Sequence, residues 1–257
     1  MKKIAVIFAG GVGSRMGASI PKQFLNVYGK PILIHTIEKF QYNENIDAIY
    51  VGCKKEYIPL LEVLIEKYNL TKIPTYGVIP GGTTGQDTIY LLLKQVEKYE
   101  PSDSIVLIHD GVRPLINDQL INDNIECVIK NGTSITCANC IETPVISEEG
   151  NEIDTVLKRN SVLIAKAPQC FILKNILEAH EIIRKKYPNY NNERIVDSCS
   201  LYMETGNKVA ITKGSNENIK VTTRDDYIKL LSNLTIEDQE QIFMLDKKLR
   251  RWDIWIK

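Results

Sequence analysis

The sequence predicts a three-layer α/β sandwich on a mostly parallel β-sheet, with one projecting β-arm. Three observations carry this expectation. Strand-like and helix-like segments alternate from residue 3 onward, the first strand ends in clustered glycines, and one polar stretch near 142–160 interrupts the alternation. Strands separated by helical stretches pair in parallel through right-handed crossovers, which covers the sheet on both faces.

Strands are expected at 3–8, 47–52, 75–79, 104–108, 133–141 and 208–212, and helices near 31–40, 55–68, 84–98, 117–130, 174–186 and 223–232. Lys3-Ile4-Ala5-Val6-Ile7-Phe8 is a continuous run of mainly apolar and β-branched residues, the pattern of a strand buried on both faces. Gly81-Gly82-Thr83-Thr84-Gly85-Gln86-Asp87-Thr88, ahead of the helical Ile89-Tyr90-Leu91, fits a plain N-capped loop and glycines that receive a polar ligand edge equally well. Ile105-Val106-Leu107-Ile108 reads as a central strand. Within 142–160, Glu148-Glu149-Gly150-Asn151 gives a turn between two weak strands, hence the arm. Thr223-Arg224-Asp225-Asp226 has the form of a capping box. Residues 236–257, ending in Lys247-Lys248-Leu249-Arg250-Arg251-Trp252, read as an added amphipathic helix and tail. The basic end of that segment suits the C-terminus of a helix better than a membrane surface.

At 257 residues the chain could form one large α/β domain or two small ones, and at 44% hydrophobic it has enough apolar material for a substantial core. Its 32 basic and 32 acidic residues cancel, so no global field draws it to nucleic acid or membrane. No secretory signal and no bilayer-length apolar run is present, and a cytoplasmic location is expected. Of the six cysteines only Cys137 and Cys140 are closely spaced, and strand alternation puts their side chains on opposite faces. With three histidines in the chain, reduced thiols are expected and not a zinc site.

The candidate chemistry sits at strand carboxyl ends, where open α/β sheets bind ligands. Ala9-Gly10-Gly11-Val12-Gly13-Ser14-Arg15-Met16-Gly17 follows the first strand. Without Cβ atoms, glycine N–H groups can approach a phosphate chain, and Arg15 and Lys22 add positive charge beside them. The pattern is neither a Walker loop nor G-x-G-x-x-G, and the glycines alone fit an ordinary strand-to-helix turn equally well. Asp110, ending its strand, suits either a Mg²⁺ ligand or a turn cap, with Arg113 as its ion-pair partner or an anion ligand. Lys220, in an otherwise apolar short strand ahead of a helix, is unlike a solvated surface lysine.

In order, Ala9-Gly10-Gly11-Val12-Gly13-Ser14-Arg15-Met16, Pro21-Lys22-Gln23-Phe24-Leu25, His35-Thr36, Gly81-Gly82, His109-Asp110-Gly111-Val112-Arg113-Pro114, Ala167-Pro168-Gln169-Cys170-Phe171 and Asn218-Ile219-Lys220-Val221-Thr222 resemble the motifs of one family. It is the alditol-phosphate cytidylyltransferases, which include the ribitol-5-phosphate and 2-C-methyl-D-erythritol 4-phosphate enzymes. The resemblance covers about residues 1–235 as one Rossmann-like nucleotidyltransferase domain and leaves 236–257 outside. It implies that Ala9, Gly10, Gly11, Gly13, Ser14, Gly81, Gly82 and Thr88 bind CTP. It also implies that Arg15, Lys22 and Lys220 act on the α-phosphate, and that Asp110 and Arg113 shape the alditol site. Asp110 would also hold Mg²⁺. Thr143 and Arg159 stand where the family's arm binds the substrate phosphate of a partner subunit, which implies a homodimer. Two positions depart from the family: Gly85 replaces an arginine, and Ala167 a threonine. Base recognition then leans on backbone groups of Gly81, Gly82 and Ala9.

The expected reaction is CTP plus D-ribitol 5-phosphate giving CDP-ribitol and pyrophosphate, for cell-surface polymer synthesis. The methylerythritol 4-phosphate reaction of isoprenoid synthesis, or another alditol phosphate, is the alternative. A non-catalytic nucleotide-binding homologue would explain Gly85 and Ala167 but not the retained cations. A nicotinamide dehydrogenase fails on glycine spacing and on Val51-Gly52-Cys53-Lys54, which lacks a ribose-binding acid.

Overall fold

The computed structural model describes residues 1–11, 20–190 and 195–235. The expected tail at 236–257 and the site candidates Gly13, Ser14 and Arg15 lie outside the described residues.

The strands are β1 (Lys3–Ala9), β2 (Asn26–Val27), β3 (Lys30–Pro31), β4 (Ala48–Cys53), β5 (Val78–Pro80), β6 (Ile105–Asp110), β7 (Thr133–Asn139), β8 (Val145–Ile146), β9 (Thr155–Val156), β10 (Leu163–Ile172) and β11 (Ile211–Lys213). The helices are α1 (Ile32–Gln41), α2 (Ile58–Lys67), α3 (Gly85–Tyr99), α4 (Asp118–Asn131), α5 (Leu173–Lys186) and α6 (Ser198–Glu204). A further helix, α7, covers 224–235. No helix among the described residues is long and apolar enough to cross a membrane.

Seven strands form the central sheet in the order β11-β7-β10-β6-β1-β4-β5. Six run parallel and β10 runs antiparallel to both neighbours. The chain builds outward from β1 to β4 and β5, then crosses back through α3 to β6 on the other side. The switch point of the topology therefore falls between β1 and β6, where a crevice opens beyond the strand ends.

Period-two alternation divides the core. Ala5, Ile7 and Ala9 of β1 face α1, α2 and α4, whereas Ile4 and Val6 face α3 and α5. Each fully buried Ile or Leu in these layers contributes roughly 1.5–3 kcal/mol by leaving water. A third cluster joins Val27, Ile32, Val112, Val221 and Leu230, tying the β2–β3 hairpin and α7 to the loop after β6.

Local signals explain the helix ends. The hydroxyl of Thr84 caps α3 by accepting from Asp87 N at 3.0 Å, and the Asn117 side chain caps α4. α4 ends on Gly132 at φ +80°, a left-handed C-cap favouring glycine. Asp197 and Ser200 form a capping box on α6.

Three elements were not anticipated. Lysine and proline within 163–172 argue against a central strand, yet β10 accommodates Pro168 where its pairing with β7 shifts between Ala165 and Gln169. The short α6 and the β2–β3 hairpin, which turns on positive φ at Tyr28 and Gly29, carry too few residues to show periodicity. The expected strand around Lys220 is also corrected. Residues 218–222 belong to no strand; Val221 N donates to Val112 O at 2.9 Å, tying the segment to the loop after β6.

Candidate active site

Asp110 is the last residue of β6 and is buried. The loop behind it turns sharply. A Cβ on Gly111 would stand 2.8 Å from Leu33 Cδ1 and 2.9 Å from Ala9 Cβ, so only glycine fits there without displacing its neighbours. Gly111 N donates to Phe8 O, and Thr36 Oγ1 donates to Gly111 O. His109, fully buried, places Nε2 3.1 Å from Arg113 O. Burial lowers its pKa to about 4, so at neutral pH the ring is uncharged and Nε2–H can donate to that carbonyl.

Lys220 Nζ lies 2.5 Å from Asp110 Oδ1, and Arg113 places Nη2 and Nε 3.2 and 3.3 Å from Oδ2. Arg113 Nη1 also donates to Asn218 O at 2.8 Å, locking the 218–222 segment to the β6 loop. The Lys220 ammonium sits 5.8 Å from the Phe8 ring centroid, at the end of β1. Burial raises the Asp110 carboxyl pKa, but Lys220 and then Arg113 outweigh it and hold the group below its ordinary value. Two cations on one carboxylate leave one surplus positive charge, suited to a phosphate.

These groups line a cavity of about 540 Å³. Its walls come from Phe8 and Ile108 in the sheet, Ala165–Ala167 and Gln169 of β10, the first turn of α3, and Tyr190 with Ile195–Ser198. Lys166 adds a cation at the wall and donates to Asn216 O and Asn218 O; burial and Arg113 lower its pKa. Sequence reasoning missed Lys166, although it is a lysine among apolar residues, the same signal that marked Lys220. It also missed Gln86, Tyr190, Asp197 and Ser198, which no local pattern marks.

Of the expected nucleotide positions, Gly10, Gly81, Gly82 and Thr88 come together at the start of α3, whose first turn lines this cavity. Thr88 is 1% exposed; Gly82 N donates to its hydroxyl, which donates to Thr84 O. A Cβ on Gly10, Gly52 or Gly81 would stand 2.8–3.2 Å from the Thr88 side chain, and one on Gly82 would collide with Asp87. Packing alone therefore accounts for much of this glycine pattern. Gly11 differs: a Cβ there meets nothing within 4 Å. Among the described residues, packing does not require glycine at this position.

Lys22 is buried on a short 3₁₀ turn after Pro21. The adjacent Gln23 amide donates to Ala9 O at 2.6 Å, and Phe24 stacks on Tyr57. The segments bearing Lys22 and Lys220 thus both abut the carboxyl end of β1. Thr143 and Arg159 lie elsewhere: both are exposed on the arm, away from their own chain's cavity lining.

Mg²⁺ on Asp110 does not fit this geometry. Each carboxylate oxygen already faces a cation, and a divalent ion there would stand against both. Among the described residues no group of three or more His, Cys, Asp or Glu side chains stands ready to hold a metal.

A Rossmann-like sheet with cations gathered beyond the ends of β1 and β6 suits a nucleotide's phosphates, and the relatives of this chain are nucleotidyltransferases. Residues 3–234 match the family model of 2-C-methyl-D-erythritol 4-phosphate cytidylyltransferase (IspD), and the chain belongs to this family. It is 43% identical over 241 residues to a ribitol-5-phosphate cytidylyltransferase of Vibrio parahaemolyticus, covering 93% of this chain and 99% of that one. A protein of the same name from Streptococcus agalactiae serotype V is 42% identical over 245 residues, covering 95% and 99%. A 2-C-methyl-D-erythritol 4-phosphate cytidylyltransferase of Clostridium botulinum is 36% identical over 238 residues, covering 91% and 99%. The crystal structure of 4-diphosphocytidyl-2C-methyl-D-erythritol synthase from Anaerococcus prevotii superposes with a TM-score of 0.77 at 28% identity, covering 91% and 96%.

Proposed function

We propose that this chain transfers the cytidylyl group of CTP to D-ribitol 5-phosphate, giving CDP-ribitol and pyrophosphate. The observation that carries this reading is the Lys220–Asp110–Arg113 cluster in the cavity at the switch point of the sheet. The higher identity to the ribitol-named relatives favours ribitol over methylerythritol phosphate. The latter remains the second reading, favoured by the name of the matching family model.

A phosphomonoester has its second pKa near about 6, so much of the substrate is a dianion at neutral pH and needs no general base. An oxygen of that phosphate attacks the α-phosphorus of CTP in line. A new P–O bond forms as the bond to the β-phosphate bridging oxygen breaks, and pyrophosphate carries the electron pair away. Lys220, paired with Asp110, holds its ammonium where charge builds; Lys22 acts on the opposite side, and the family resemblance assigns Arg15 to the CTP phosphates. Arg113 and Asp110 fix the Lys220 segment. Were Mg²⁺ to take part, the Lys220–Asp110–Arg113 cluster would not hold it; the ion would come bound to the triphosphate and would offset part of its charge.

The arm completes the site in a homodimer in the cytoplasm. Val145, Ile146, Ile153 and Val156 are all exposed on it, and a two-stranded hairpin with apolar side chains in water seeks a partner. Arg159 and Thr143 then reach the substrate phosphate of the other subunit. Pyrophosphate release from CTP, measured against a panel of alditol phosphates, tests the reading. Release with ribitol 5-phosphate above the others is expected; release only with methylerythritol phosphate selects the second reading, and none with any acceptor rejects both.

A further inference from the structure

Two side chains in the cavity wall carry a buried oxygen without a hydrogen-bond partner: Gln86 at Oε1 and Ser198 at Oγ. Gln86 is 8% exposed and Ser198 1%. Buried oxygens are nearly always paired in folded proteins, so two in one wall call for a partner that the chain itself does not supply.

The polar neighbours on the same wall are committed. Gln169 donates from Nε2 to Asp197 Oδ2 and accepts from Cys199 N at Oε1. Asp197 Oδ1 accepts from Ser200 N, and Thr84 Oγ1 from Asp87 N. Gln86 and Ser198 keep unspent capacity, one an amide acceptor and the other a hydroxyl that both donates and accepts. The wall toward the sheet carries Lys220 and Arg113, with Phe8, Ile89, Ile108 and Ile195 supplying apolar surface. The cavity thus suits a molecule with an anionic head and a hydroxyl-bearing chain.

We propose that Gln86 and Ser198 read the hydroxyl groups of the alditol chain and set the preference for a linear polyol over a methyl-branched one. This rests on the alditol-phosphate transfer proposed above. With the phosphate at Lys220, the carbon chain extends toward the first turns of α3 and α6. A hydroxyl there, met by a turn of the Gln86 amide or the Ser198 hydroxyl toward the cavity, satisfies an oxygen that is otherwise unpaired, whereas the shorter methyl-branched chain, with one hydroxyl fewer, leaves it unpaired. Rejection by an unmet buried hydrogen bond discriminates more strongly than the fit of a methyl group in an apolar pocket.

The test is steady-state kinetics of the full chain and of Gln86→Leu and Ser198→Ala, each with ribitol 5-phosphate and with methylerythritol 4-phosphate, alongside thermal melting without ligand. Each variant is expected to lose about tenfold in kcat/KM for ribitol 5-phosphate. The loss with methylerythritol phosphate is smaller, and the KM for CTP does not change. Because both oxygens are unpaired in the free protein, the melting temperature stays or rises, an outcome that a merely structural role would not give. An unchanged preference in both variants overturns the inference alone, as does a rise confined to the KM for CTP. Absence of turnover in the unaltered chain with every alditol phosphate overturns the proposed function and this inference with it.

Discussion

A buried carboxylate is costly unless paired, and Asp110 is tolerated because Lys220 and Arg113 occupy its two oxygens. The Asp110 carboxyl is held below its unfolded value, so the pairing contributes fully above about pH 4 and is lost as pH falls further. His180 titrates in a wider window. It is fully buried with Nδ1 2.7 Å from the Tyr190 hydroxyl, and burial, reinforced by Arg184, lowers its pKa to about 3. Between its unfolded value of about 6.5 and that folded value, the unfolded chain binds a proton that the native chain does not. Stability from this residue is therefore complete above that unfolded value and falls on acidification, by about 2 kcal/mol between pH 7 and pH 5. Denaturant titrations at the two pH values should show this loss reduced by about that amount in His180→Leu; an equal loss in both proteins contradicts the assignment. At this scale Lys220 and Asp110 were legible, because a charged residue in an apolar run is conspicuous. Gln86 and Ser198 were not, because an ordinary helix start uses the same residue types.

Elements place these side chains. The carboxyl ends of β1 and β6 were legible from apolar runs broken by glycine or aspartate, and the arm from its turn signal. β10 was not, because it sits between β6 and β7 in space while following the arm in sequence, and it contains Pro168. Its absence from the sequence reading hid the wall that carries Lys166 and Gln169. The arm gives the prediction at this level. Arg159 is exposed in its own chain, with Nη1 3.5 Å from Ile141 O as its hydrogen-bond contact. Arg159→Ala should raise the KM for the alditol phosphate about 10- to 100-fold, the worth of a charge-assisted hydrogen bond, and leave that for CTP unchanged. Val156→Asp should shift the protein from dimer to monomer in sedimentation velocity and lower turnover. A monomer with full activity contradicts the shared site.

For the whole molecule, the fold brings together residues that the sequence keeps far apart. The third apolar cluster and the Val221–Val112 backbone bond carry the Lys220 segment to the end of β6. The Gln23 amide carries the Lys22 turn to the end of β1. Family motifs made this convergence legible; composition and periodicity alone gave only the sheet and its crevice, since no local pattern states which distant loops meet. The central claim is that the Lys220 ammonium stabilises charge on the phosphorus under attack. Its most direct test is the rate of CDP-ribitol and pyrophosphate formation by Lys220→Met, which removes the ammonium and keeps a side chain of similar length, under saturating CTP and ribitol 5-phosphate. The account predicts a fall in kcat of about 10²–10³-fold with the far-ultraviolet circular dichroism of the unaltered protein. A kcat within a fewfold of the unaltered protein contradicts it.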